Sequence, residues 1–180
     1  MGRLIAIAAL ALASTAAWSA APPAWSIDYA KSRISFVAEQ AGAKFPGRFE
    51  RFEADVHFDP NALADSFAVV RVATASVATE DGDRDTILRG DGWFESDKHG
   101  DARFEARAFE ATANGFHAKG TLTIGAKTVP VVFDFRLDDA GLVGACDLDR
   151  LSLGLGLGDW ADEKWIGRQV HVDVVVAKKR

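Results

Sequence analysis

The chain of 180 residues contains a single cysteine, Cys146, and only one tyrosine and one methionine. One cysteine excludes an internal disulfide and the paired-cysteine spacing of a zinc site, so an apolar core must hold the fold alone. Arg150 is the only basic residue within five positions of Cys146. We therefore predict a small buried apolar residue at this position and not a reactive thiol.

Excess positive charge and long apolar runs are also missing. The net charge is −5, and it becomes −6 if the first 19 residues, whose one charged side chain is Arg3, are removed. This acidity argues against nucleic acid or an anionic membrane surface as the main partner. No stretch after residue 19 approaches the ~18 consecutive apolar residues of a membrane-spanning helix.

The first 19 residues have the pattern of a cleavable export signal. Arg3 supplies the positive charge, and Leu4–Ala13 is an apolar run too short to span a bilayer. Small residues at Ala17 and Ser19 suit cleavage before Ala20. We expect residues 1–19 to be a signal peptide, residues 20–180 to form one domain, and the location to be the periplasm or the exterior.

Catalytic and metal-binding motifs are absent. The chain has no GxSxG elbow, P-loop or HExxH motif, and its histidines do not have the spacing of zinc ligands. Asp81, Asp83 and Asp85 have the spacing of a calcium loop, but Thr86 and Gly92 occupy the positions of its glycine and its bidentate acid. We therefore predict no catalytic residue, no metal site and no catalytic cofactor.

Phenylalanine and tryptophan are abundant, with twelve and five residues. Phenylalanine has no polar group, so this number predicts a large dry interior. Alternating apolar and polar residues with hairpin turns between them predict about eight strands, and closing them into an antiparallel barrel would remove exposed edges. Residues 44–58 are predicted to form one long strand with a β-bulge at a register shift between Phe49 and Phe52, and residues 25–29 are predicted to form a short first strand. Small residues lie on faces that otherwise carry Phe, at Gly47, Ala106, Ala118 and Gly120. They predict internal room for one ligand.

Two segments interrupt the strands. Residues 84–90 are predicted to form a short helix with Asp83 as its N-cap, ending at Gly90 and closing one end of the barrel together with Trp93 and Phe94. Arg84 and Asp85 are predicted to fix this helix through ion pairing, and not to contact a ligand directly. The second segment, Leu153–Trp165, is predicted to be a pliable apolar loop.

Four segments in order resemble the YceI-like family: WSIDYAKSRISFVA, RDTILRGDGWFESDKHGDARFEA, GTLTIGAKTVPVVFDF, and the run Arg150–Trp160 followed by VHVDVVV. The resemblance covers nearly the whole chain after residue 20. It implies a lipocalin-like antiparallel barrel, usually periplasmic, that encloses an apolar tunnel for a polyisoprenoid chain such as a quinone tail. Where the family often has a histidine after its second strand, this chain has Glu39 and Gln40.

The lead hypothesis is a non-enzymatic carrier of a polyisoprenoid or isoprenoid quinone. Its candidate ligand-lining residues are Phe36, Phe45, Phe49, Trp93, Phe94, Phe104, Leu122 and Phe133, and each could equally fill a solid core. The residues of the family motif with structural roles are Arg84, Asp85, Leu88, Arg150 and Trp160.

Two alternatives remain open. One is an enzyme acting on a lipid or quinone, with residues such as His171 and Asp85 as acid and base. The other is an interaction module that contacts a membrane cytochrome or another inner-membrane partner through residues 154–165. The sequence leaves open a homodimer.

Overall fold

The computed structural model describes residues 22–179, so the predicted signal peptide, 1–19, lies outside the described residues. In chain order the strands and helices are β1 (Arg33–Gln40), β2 (Ala43–Phe49), β3 (Phe52–His57), β4 (Phe67–Ala73), β5 (Val77–Ala78), α1 (Gly82–Arg89), α2 (Ser96–His99), β6 (Asp101–Thr112), β7 (Gly115–Ile124), β8 (Lys127–Asp138), β9 (Gly141–Asp149) and β10 (Gln169–Ala177). Neither α-helix within residues 22–179 has the length and apolar content needed to cross a bilayer.

All ten strands belong to one antiparallel sheet with the order β3-β4-β6-β7-β8-β9-β10-β1-β2-β5. Strand β3 lies at one end of this order and β2 lies next to the other end, yet only Glu50 and Arg51 separate them in the chain. A link of two residues spans less than ~10 Å. The sheet must therefore curl until its ends approach, which confirms the predicted all-β, lipocalin-like barrel with a short helix near residues 84–90. The second helix, α2, is not among the predicted elements.

The structure has ten strands, whereas the sequence pattern predicts about eight. The predicted long strand over residues 44–58 is divided into β2, which pairs with β1 and β5, and β3, which pairs with β4. The register shift between Phe49 and Phe52 therefore marks a change of partner and not a bulge. A bulge does occur in β6, between Ala106 and Ala108. The predicted first strand, 25–29, is reduced to one isolated bridge between Ile27 and Lys178.

The register fixes which residues face the interior, because directly opposed residues lie on the same face of a sheet. Phe104 is opposite Leu122, Leu122 is opposite Val129, and Cys146 is opposite Val172. Followed around the sheet, this inner face carries apolar residues in every described strand. Its buried residues form two clusters, one centred on Phe58 and Phe135 and one beneath α1.

Candidate ligand-binding interior

Helix α1 closes one end of the barrel, but its N-cap differs from the prediction. The Asp81 carboxylate, and not that of Asp83, accepts hydrogen bonds from the backbone N–H groups of Asp83 (3.1 Å) and Arg84 (3.0 Å). The bond from the Arg84 N–H lowers the pKa of Asp81. The helix therefore begins at Gly82, two residues before the predicted start. Asp83 lies in the first turn, where a carboxylate favours the helix dipole.

Arg84 and Asp85 fix the helix through different neighbours. The Arg84 guanidinium lies over the Phe45 ring at 4.0 Å, donates from Nε to Gln40 Oε1 (3.1 Å) and pairs with Asp81. The Asp85 carboxylate accepts hydrogen bonds from the Thr79 backbone N–H (2.8 Å) and hydroxyl (2.7 Å). Both residues tie α1 to adjacent strands, but the predicted pairing between the two does not occur.

The apolar side of the closure consists of residues that the sequence analysis singled out. Leu88 and Phe94 are both 9% exposed and lie in the cluster beneath α1. Trp93 packs against that cluster and makes an edge contact with Trp160, with ring centroids 6.2 Å apart. Its indole N–H is buried and has no hydrogen-bond partner within residues 22–179. Trp93 and Phe94 thus contribute to the closed end as predicted.

Arg150 is the most completely bonded polar side chain of the site. It is 2% exposed, and its guanidinium donates to the carbonyl oxygens of Leu155, Gly156, Trp160, Ile166 and Gly167 over 2.7–3.0 Å. Arginine has five N–H donors, and the loop carbonyls occupy all of them. Burial lowers the pKa of Arg150, against smaller opposing effects of Glu163 and Asp149. The side chain therefore organises the predicted loop from within and is not available to a ligand.

The eight predicted lining residues divide between the two clusters. Six of them lie in the cluster beneath α1, namely Phe36, Phe45, Phe49, Trp93, Phe94 and Leu122. Phe104 and Phe133 pack against the other cluster and contact each other edge to face, with centroids 6.4 Å apart. All eight belong to the barrel interior or its closure, but they do not form one continuous patch. That they contact a ligand remains a prediction.

Sequence reasoning missed the aromatic cluster at the opposite end. Phe58 lies there within 5.0–5.2 Å of three rings, those of Phe109, Phe116 and Phe135, and Trp25 donates its indole N–H to the Phe58 carbonyl (3.1 Å). The clean alternation of β8 was the signal that could have found Phe135. Alternation in β9 likewise places Cys146 on the inner face, where burial raises its pKa to about 11.

The predicted room above the small residues is largely taken. A Cβ added at Gly47 would collide with the Phe36 ring, so that ring already covers the glycine. Ala106 and Ala118 are 1% and 3% exposed against the far cluster. Accessible surface remains elsewhere on the inner face, because Leu122, Phe133 and Cys146 are only half-buried although they face inward.

A cleft of about 610 Å³ lies at the junction of β2 and β3, where the sheet ends meet. Three inner-face residues, Ile34, Phe49 and Phe52, line it. The rim consists mainly of charged side chains, namely Arg33, Arg48, Glu50, Arg51, Glu53, Arg71 and Asp101. The interior is thus reachable here, but past a charged margin.

The histidines lie away from the interior. His171 is exposed on β10 and bonds through Nδ1 to Asp147 Oδ1 (2.7 Å), a contact that raises the pKa of His171. His117 pairs with Asp134 on the same outer surface. Asp85, the other residue of the enzymatic alternative, is held by Thr79 in a separate element. The structure therefore does not bring His171 and Asp85 together.

The structure is a single antiparallel sheet that curls round an apolar interior and is closed at one end by a short helix. This architecture defines a lipocalin-like barrel, a fold that can enclose a small ligand. The family model of the YceI-like domain matches residues 25–177. The chain therefore belongs to the YceI-like family.

Relatives agree with this assignment over most of the chain. A UPF0312 protein of Vibrio cholerae is 27% identical over 156 residues, 81% of this chain and 82% of the relative. The crystal structure of Burkholderia cenocepacia BcnA is 26% identical, with a TM-score of 0.77 over 85% of this chain and 99% of that one. A polyisoprenoid binding domain from Saccharophagus degradans has a TM-score of 0.57 over 86% of this chain and 98% of its own. At 17% identity, that likeness shows the fold.

Proposed function

We propose that this protein is a non-enzymatic carrier that holds a polyisoprenoid chain, free or as a quinone tail, inside the barrel. The observation that carries the proposal is the inner face, on which Lys127, at the first position of β8, is the one charged residue in the strands of residues 22–179. Burial of each CH₂ group contributes ~0.8 kcal/mol, so a long chain binds such a surface tightly without polar contacts.

Family membership and one structural neighbour, the polyisoprenoid binding domain from Saccharophagus degradans, support this ligand class. The signal-like residues 1–19 support a periplasmic location. A carrier in that compartment would keep an insoluble chain dispersed between membranes. No catalytic cofactor is part of the proposal.

Organic extraction followed by mass spectrometry tests the ligand directly. The protein is exported and purified without detergent, and its extract is compared with that of a sample unfolded and washed before extraction. One isoprenoid or quinone in near-stoichiometric amount is the expected result. A well-folded protein that yields a blank extract and takes up neither added polyprenol nor added quinone would refute the carrier function.

Substitution at the closed end provides a matched pair of variants. Trp93→Ala removes a half-buried ring from the closure and should weaken binding about tenfold, equivalent to ~1.4 kcal/mol, without unfolding the barrel. Trp165→Ala alters a side chain that is 63% exposed and should leave affinity unchanged. Equal affinity of both variants would count against a role for Trp93 in holding the ligand.

Exposed apolar residues favour a second, compatible role for the loop at this end. Leu157, Trp160 and Trp165 are 50%, 40% and 63% exposed. Exposed aromatic residues are typical of interaction sites. We propose that they contact an inner-membrane partner, such as a cytochrome, during transfer. The double variant Leu157→Ser/Trp165→Ser should retain bound ligand but lose association with membrane fractions, and undiminished association would exclude this contact.

A further inference from the structure

The barrel wall is split between β8 and β9. These strands pair only from Asp134 opposite Ala145 to Asp138 opposite Gly141. Beyond that point β8 continues towards Lys127 and β9 continues towards Asp149, each paired only with its other neighbour. We call the gap between residues 128–133 of β8 and residues 146–149 of β9 the β8–β9 split.

The edge of β8 along the split is apolar on both faces. Val129, Val131 and Phe133 face inward by register, while Val132 faces outward and is 50% exposed. Pro130 has no N–H to give to a ladder, and proline is found at strand edges for this reason. Exposed strand edges in soluble proteins usually carry charged side chains, so this apolar edge is unusual and calls for an apolar partner.

Side chains close the split where backbone hydrogen bonds are missing. At its narrow end the Phe133 ring lies over Gly144, since a Cβ there would be 2.5 Å from Phe133 Cζ. At its wide end the buried Leu153 and Leu155 occupy the interior, and Gly154 packs against the Lys127 side chain.

The segment that fills the wide end is held from elsewhere. Within residues 22–179, no backbone hydrogen bond joins residues 151–156 to β8. The bonds that this segment makes to other residues run to Asp149 at the end of β9, to Arg150 and, through the Gly156 N–H, to the Gly92 carbonyl (2.7 Å). The split can therefore widen through side-chain rotation and loop movement without breaking a β-ladder.

We infer that the β8–β9 split is the lateral entrance through which the apolar chain of the ligand reaches the interior, an inference that rests on the proposed function. An extended hydrocarbon chain passing there meets Val132 outside, then Phe133 and Cys146, and then the inner face. The cleft at the β2–β3 junction is the competing route, but an apolar chain passing there would desolvate seven charged side chains. At the split the β8 edge is apolar, and the charged side chains of the β9 edge, Asp147 and Asp149, are paired with His171 and Arg168.

A cross-link across the split tests the inference. Continuing the observed register would place Val132 opposite Asp147, and both side chains lie on the outer face. In a Cys146→Ala background, Val132→Cys and Asp147→Cys are joined by oxidation, or by a short bis-maleimide where the edges are too far apart for a disulfide. Decylubiquinone is the probe, and quenching of tryptophan fluorescence in a stopped-flow instrument reports its entry.

The expected result is an association rate at least about tenfold slower in the cross-linked protein, reversed by reductant for the disulfide form. The equilibrium Kd should change little, because a closed entrance slows exit equally. Arg136→Cys with Val143→Cys is the matched control, since these residues already pair in the ladder. Each single cysteine variant controls for the lost side chains, including the contact of Asp147 with His171.

Two results would overturn the entrance. One is unchanged association in the protein cross-linked across the split. The other is slowing only when Arg33→Cys and Arg71→Cys, which flank the competing cleft, are cross-linked instead. Failure of the proposed function is distinct, because the wild-type protein would then bind no probe at all.

Discussion

Replacing Arg150 tests whether one buried guanidinium holds the loop of residues 151–168. Its five hydrogen bonds come from a charged donor, and such bonds contribute ~1.5–3 kcal/mol each. Their full sum, ~8–15 kcal/mol, would be comparable to the whole ~5–15 kcal/mol stability of a typical domain. The freed carbonyls can reach water once the loop opens, however, so the loss is limited to the cost of releasing the loop.

For Arg150→Met we therefore expect a loss of ~3–5 kcal/mol in the free energy of unfolding, because each buried carbonyl that loses its donor costs ~1–3 kcal/mol and opening of the loop relieves part of this cost. With a urea m-value of ~2 kcal/mol/M, the midpoint should fall by ~2 M. Arg150→Lys supplies at most three donors, so its urea midpoint should lie between those of the wild type and Arg150→Met. Hydrogen exchange should show that amides of the loop lose protection while those of β6 and β7 keep it.

Arg168→Met is the matched control for charge. Arg168 also carries a guanidinium, but its side chain is 46% exposed and pairs with Asp149 at the surface (2.7 Å). Exposed pairs contribute ~0–1 kcal/mol, so this variant should stay close to the wild type. An Arg150→Met protein within 1 kcal/mol of the wild type, with a protected loop, would refute the role assigned to the buried bonds.

Three further predictions concern other polar groups. Asp81→Ala should lower the free energy of unfolding, measured in urea, by ~0.5–2 kcal/mol through loss of the helix cap, while Asp83→Ala should lower it by less than ~1 kcal/mol. A larger loss in Asp83→Ala than in Asp81→Ala would favour Asp83 as the cap, as the sequence predicts. Burial raises the pKa of Cys146 to about 11, so ~0.1% of this thiol is ionised at pH 8. Its alkylation in the folded protein should be ~200-fold slower than in the urea-unfolded chain, and slower again when ligand is bound. Equal alkylation rates in the folded and unfolded chains would contradict its burial. The hydrogen bond from Arg168 lowers the pKa of Asp149 below its unfolded value of ~3.9, so its stabilisation is present at neutral pH and is lost as pH falls through the folded pKa. The stability difference between wild type and Asp149→Asn should accordingly shrink below pH ~4, and a constant difference down to acid unfolding would exclude this linkage.

The strands and their inner faces could be predicted because alternation is a local signal. In β8, every second residue from Val129 to Leu137 faces inward, as the period of two requires. The partner of a strand is a non-local property, which is why the segment over residues 44–58 was assigned to one bulged strand. Nothing between Phe49 and Phe52 indicates that the residues on either side pair with opposite ends of the sheet.

The N-cap residue of α1 is also a feature that the sequence pattern alone does not determine. Asp81, Asp83 and Asp85 alternate with other residues, and each has a side chain suitable for capping. Only the backbone conformation distinguishes them: Asp81 is extended, with φ −139° and ψ 109°, whereas Asp83 is already helical. The tertiary bond between Asp85 and Thr79 also contributes to this choice, and the sequence pattern does not contain it.

Glycines on the inner face are covered by aromatic rings and do not leave the empty space that their small size suggests. Gly47 is predicted to leave space, yet the Phe36 ring lies over it, and the Phe133 ring lies over Gly144 in the same way. A ring can approach the backbone closely where a neighbouring residue on the same face has no Cβ, so these glycines set the positions of rings and not of hollows. Under the proposed carrier function, the ligand chain would therefore pack against these aromatic faces. The space it occupies then depends on rotation of Phe36 and Phe133 as much as on the backbone of the sheet.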